Sequence, residues 1–161
     1  MTFTWQSNPK LPNPYWFIPI IIVLVIFLLF VGLAKAETLG QVNNNPLNLK
    51  CYDNWLGSIG KDKYNHCIFE NIEYGIRAGL KNLAYHIKKN PEETLLRYLS
   101  TFAKANSQQE AEYVAKKLNI SIYTKLKNID IVNFFIALSR FESKIFFTKS
   151  EVLTIKEKFN L

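Results

Sequence analysis

The chain has 161 residues, 48% of them hydrophobic, with six glycines, six prolines and two cysteines. Roughly 120 residues lie outside one long apolar segment and its tail, which leaves room for one modest core and argues against a second domain. The formal charge is +7, with +2 in the first 36 residues; this suits an acidic partner, but lysines scattered through every segment argue against nucleic acid.

Residues 1–14 read as an N-terminal tail and 15–36 as a single transmembrane anchor. No charge occurs from 15 to 34, a stretch long enough at 1.5 Å per residue to cross a bilayer core of about 30 Å. Pro12, Pro14 and Pro19 with Tyr15 and Trp16 make an interfacial collar at one end, and Lys35 closes the other. Ala34-Lys35-Ala36 also fits a signal-peptide cleavage site. The apolar run exceeds an ordinary h-region, however, and only Lys10 supplies positive charge before it, so an uncleaved anchor is the preferred reading. Either reading places residues 37–161 on the far side of a membrane, and the preferred one makes the chain a single-pass membrane protein with a periplasmic or extracytoplasmic domain.

Three asparagines and a proline follow, Asn43-Asn44-Asn45-Pro46, and then Leu47, Asn48, Leu49 and Lys50. Asparagine side chains bond nearby backbone and proline lacks a donor, so this stretch is a shaped loop. Cys51 and Cys67 bracket a glycine-containing segment that reads as a short hairpin. In an oxidising compartment they would join as a disulfide; in a reducing one they are two small apolar residues. No metal site is expected, because His66 and His86 lack the paired ligand spacing of zinc, and no cofactor is expected. Trp55 and Gly57 read either as an aromatic plug with a turn glycine or as a sugar platform. Glu73 and Arg77, four apart at a helix start, read as a supporting ion pair.

Beyond Gly79 there is no glycine, and apolar residues recur at helical spacing. Ile76, Leu80, Leu83, Ala84 and Ile87 define one helix, and Leu95, Leu96, Leu99 and Phe102 the next, with Pro91 between them. Ser107-Gln108-Gln109-Glu110 matches a capping box and opens a third helix, with Ala111, Val114, Ala115 and Leu118 on one face and Tyr113 beside it. A fourth runs from an Asp130 cap through Ser143, and a fifth from the capping box Thr148-x-x-Glu151. The fold class is mainly α, a small helical domain with a short β or loop excursion.

On the fourth helix Ile131, Phe135, Leu138 and Ile145 share one face, and Glu142 falls on the same stripe. Burying a carboxylate there is costly and favours its protonated form, the state a general acid needs. The competitor is Glu37, just beyond the anchor and six residues before Asn43.

The asparagine loop, followed by Trp55-Leu56-Gly57-Ser58-Ile59-Gly60 and by Phe69…Glu73-Tyr74-Gly75-Ile76-Arg77-Ala78, resembles a family pattern. It is the "NNPGN", W-x-G-x-x-G, F…G-x-R-A series of phage and virion-associated peptidoglycan-degrading enzymes of the lysozyme-like superfamily, lytic transglycosylases included. Ala137 to Ser143 is similar to the helix end that carries their catalytic glutamate. The order of the two motifs is reversed here, and Leu47 and Lys144 stand where the family has glycines.

The resemblance implies a lysozyme-like α+β domain over 37–161, cleaving the bond between N-acetylmuramic acid and N-acetylglucosamine. Glu142 would be the acid, with Asn44, Asn48, Trp55 and Tyr113 on the substrate. It further implies peptidoglycan as partner, together with the membrane and other membrane proteins of a virion or secretion apparatus, and a role in genome delivery through the cell wall. The alternative is a non-catalytic structural membrane protein that keeps the fold as an attachment domain.

Overall fold

The computed structural model describes residues 15, 18–24, 36–52, 54–102 and 106–161. The chain divides into two compact units, Met1–Ala36 and Glu37–Leu161. In the first, residues 18–24 are helical. Among the described residues no helix is long and apolar enough to cross a membrane. The expected single-pass anchor and membrane location are corrected accordingly; residues 16–17 and 25–35 of that segment lie outside the described residues.

The second unit is mainly helical. In chain order it comprises α1 (Leu39–Val42), β1 (Ser58–Lys61), β2 (Cys67–Phe69), α2 (Ile72–Lys89), α3 (Leu95–Phe102), α4 (Ser107–Leu118), a 3₁₀ turn (Leu126–Asn128), α5 (Ile131–Glu142) and α6 (Lys149–Lys158). Side-chain caps set several of these starts, because the first N–H groups of a helix need acceptors. Asn71 accepts from the N–H groups of Glu73 and Tyr74 at 3.1 and 3.3 Å. Asp130 accepts from Asn133 at 2.9 Å. Thr148 and Glu151 cap each other reciprocally, as their spacing predicts.

Ser107 to Glu110 departs from its expected capping box. Asn106 stands at the cap position with no side-chain cap hydrogen bond, and Glu110 is turned inward.

One apolar core joins α2 to α6, with Leu83, Leu95, Val114, Leu126, Phe134, Phe135 and Val152 fully buried. Each of these side chains contributes about 2–3 kcal/mol by leaving water. A smaller cluster of Cys67, Phe69 and Ala78, flanked by Trp55 and Tyr74, holds the hairpin against α2. The strands pair antiparallel, with a bulge between Ser58 and Gly60. The Cys51–Cys67 disulfide closes the hairpin arm, its Cα atoms 4.6 Å apart; closing a loop of this length contributes about 3 kcal/mol through the unfolded state.

Glu73 and Arg77 do not form the pair their spacing predicts. α6 packs along α2 and offers better partners: Lys158 Nζ meets Glu73 Oε2 at 2.5 Å, and the Arg77 guanidinium lies over the Phe159 ring at 5.6 Å. Both residues fasten the last helix to the second.

Candidate active site

The asparagine loop is built from inside outward. Asn45 is fully buried. Its amide donates to the carbonyls of Leu49 and Cys67, each at 2.9 Å, and its carbonyl accepts from the Leu49 N–H at 2.9 Å. Asn44 and Asn48 adopt left-handed backbone, φ 51° and 49°, a region asparagine tolerates because its short polar side chain bonds locally.

Asn43 is anchored by Asp62, whose Oδ2 accepts its amide at 2.9 Å. Burial pushes the Asp62 carboxyl up. The opposing hydrogen bonds from His66 backbone and ring, from Asn43 and from the Tyr64 N–H prevail and hold it well below the usual carboxylate range. Asp62 is therefore an ionised strut. An ionised carboxylate can only accept, so His66 Nδ1, 3.0 Å away, is the donor. That leaves Nε2 to accept from Lys50 Nζ at 3.0 Å.

The end of α5 is clamped onto this loop. Ser143 Oγ donates to the Pro46 carbonyl at 2.8 Å, and Thr38 Oγ1 donates to the Ser143 carbonyl at 2.7 Å. Across that seam Asn48 Nδ2 donates to Glu142 Oε2 at 3.0 Å. A residue at position 142 thus meets one at position 48.

Lys144, where the sequence pattern has a glycine, adopts φ 55°, the backbone that favours glycine just past a helix end.

Asn48 and Glu142 open into a cleft of about 450 Å³, whose lining also includes Tyr52, Trp55, Tyr98 and Glu110. Glu110, from α4, is only 3% exposed. Burial, followed by the charge and the hydrogen-bonding carboxyl of Glu142, pushes its pKa up to about 8. Three buried polar atoms of residues that line this cleft lack a hydrogen-bond partner among the described residues: Asn48 Oδ1, Trp55 Nε1 and Glu110 Oε2. They are an acceptor, a donor and a carboxyl oxygen, and an unpaired buried polar group costs about 1–3 kcal/mol.

Of the residues singled out by the sequence, the structure brings Glu142, Asn48 and Trp55 together at this cleft. Asn44 is committed to the fold, its amide donating to the Phe69 carbonyl at 3.1 Å. Tyr113 does not line the cleft; three residues beyond Glu110, it packs on Phe141 with ring centres 5.4 Å apart. The tyrosines at the cleft are Tyr52 and Tyr98. Glu37 is exposed ahead of α1 and is not part of the lining.

Glu110, read from the sequence as the end of a capping box, instead joins Glu142 at the cleft. Its spacing carried the signal: Glu110 sits four residues before Val114, on the buried face of its helix, the same logic that marks Glu142.

Comparison with known protein families finds no matching family, and comparison with curated proteins finds no match.

Proposed function

We propose that the domain over 37–161 is a lysozyme-like glycosidase that cleaves peptidoglycan between N-acetylmuramic acid and N-acetylglucosamine in the manner of a lytic transglycosylase. The observation that carries the reading is the Asn48–Glu142 contact at 3.0 Å inside an aromatic-lined cleft. An acid must be aimed to protonate a leaving oxygen, and the Asn48 amide fixes the Glu142 carboxyl from the opposite wall.

The unpaired atoms support an N-acetyl sugar as the occupant. A secondary amide offers one N–H and one C=O, the complement of Asn48 Oδ1 and Trp55 Nε1. Tyr52 and Trp55 supply aromatic surface for the sugar faces.

The state of the second carboxyl supports the transglycosylase route over ordinary hydrolysis. Retaining glycosidases hold two carboxyls about 5–5.5 Å apart and inverting ones about 6.5–9.5 Å. Glu110 shares the cleft with Glu142 and has its pKa pushed up to about 8 by burial and by Glu142, so it does not serve as the second, ionised carboxylate that either arrangement needs. Glu142 would protonate the glycosidic oxygen and then accept the proton of the sugar's own 6-hydroxyl as it attacks the anomeric carbon, leaving a 1,6-anhydro end.

A zymogram with purified peptidoglycan tests the reading. The full chain and Glu37→Gln should clear the gel equally. No clearing by either would contradict the proposal and leave an attachment role for the domain.

A further inference from the structure

Glu110 has no part in the chemistry as written, although its burial in the active cleft demands a reason. It projects from α4 against Glu142 of α5, and its Oε2 is buried without a partner. Two carboxylates in contact repel each other and their lone pairs cannot bond without a proton between them. We propose that Glu110 and Glu142 hold one proton in common, and that Glu110 is the positioning residue that keeps the Glu142 acid loaded at neutral pH. The proposal deepens the glycosidase reading and rests on it for the role, while the shared proton rests on the burial of Glu110 and its place with Glu142 at one cleft.

The groups facing Glu110 sharpen the point. From α5 comes Glu142, a like charge; from α3 comes Tyr98, whose phenol is pushed above its ordinary value by burial and by Glu110 and Glu93. Lys50, Tyr52 and His66 also line the cleft, on the loop and hairpin arm, where Lys50 Nζ is engaged by His66 and the Tyr64 carbonyl. Among the described residues the charge that acts on Glu110 is that of Glu142, which is negative, and the proton is what makes the pair stable.

In the reaction the Glu110 proton moves onto the Glu142 carboxylate and from there to the glycosidic oxygen, which takes the electron pair of the breaking C–O bond. Both carboxyls are then ionised. The attacking hydroxyl forms the new C–O bond and gives its proton to Glu142, restoring one proton to the pair. The balance closes without any other reactant.

The sign of the pH dependence follows. Glu110 has its pKa raised from 4.5 to about 8, so between those values the folded chain holds a proton the unfolded chain has lost. Its stabilising contribution is complete below about 4.5 and is lost as pH rises towards about 8.

The test uses the full-length wild type, Glu110→Gln and Glu110→Asp. Infrared spectra should show a protonated carboxyl band in the wild type at pH 7 that titrates away near pH 8 and is missing from Glu110→Gln. Activity of Glu110→Gln on peptidoglycan should fall roughly 100-fold at pH 7 but only several-fold at pH 5, as expected when the proton that Glu110 supplies at neutral pH is gone. Glu110→Asp should restore part of the pH 7 activity. A wild type with no protonated carboxyl at pH 7 would overturn the shared proton, and an alkaline limb unmoved by Glu110→Gln would overturn the loading role. If the band behaves as expected while no variant cleaves peptidoglycan, the shared proton is supported and the glycosidase reading alone fails.

Discussion

Glu142→Gln should reduce peptidoglycan cleavage about 10³-fold, within the usual range for loss of a general acid–base. A glutamine keeps the size of the side chain and can still meet Asn48, whose amide now donates to Glu142 Oε2 at 3.0 Å. It cannot release a proton to the glycosidic oxygen. The substitution also removes a negative charge beside buried Glu110, so the variant should melt no lower than the wild type at pH 7. Activity lost with the fold intact separates chemistry from structure. Initial rates of soluble fragment release, with melting measured in the same buffer, check both halves. Undiminished rates would remove Glu142 from the reaction.

Gly75→Ala should be the most damaging of the small substitutions. Gly75 sits in the first turns of α2 directly beneath the asparagine loop, and a Cβ there would lie 1.9 Å from the Asn44 carbonyl oxygen and 2.8 Å from Pro46 Cδ. The loop cannot easily give way, because the three hydrogen bonds of Asn45 and the Ser143 clamp hold it from the other side. Alanine gains about 1 kcal/mol of helix propensity over glycine, but a backbone collision of this severity outweighs it, and overpacking costs about 1–3 kcal/mol or more. We expect a net loss of about 2 kcal/mol, a fall of roughly 8 °C in Tm for a domain of this size. Activity should drop further than stability alone explains, since a displaced loop moves Asn48 away from Glu142. Thermal melts and cleavage rates of the purified variant check this; an unchanged Tm would mean that the loop and α2 are not in such close contact.

The elements that declare themselves locally were legible in the sequence. Apolar spacing located α2 to α5, Asp130 and the Thr148–Glu151 pair marked their helix starts, and the run of asparagines announced a loop of special backbone. Glu142 was legible for the same reason, as a charge on an apolar stripe. What escaped depends on partners distant in the chain. Glu110 matched a capping box by spacing, and only the approach of α5 to α4 reveals why it turns inward. Glu73 and Arg77 were close enough to pair, yet α6 brings Lys158 and Phe159 to them from more than 80 positions away. Tyr113 had a role implied by resemblance, but Phe141 claims its ring. The uncharged run from 15 to 34 fits a membrane span by hydropathy, whereas no helix among the described residues is long and apolar enough to cross a membrane.

The most direct test of the central claim, that the asparagine loop and the end of α5 form a glycan-cleaving site, is mass spectrometry of the soluble fragments released from purified peptidoglycan by the full chain. Fragments ending in 1,6-anhydro-N-acetylmuramic acid are the expected result. Fragments cut only within the peptide stems, or no fragments at all, would contradict it.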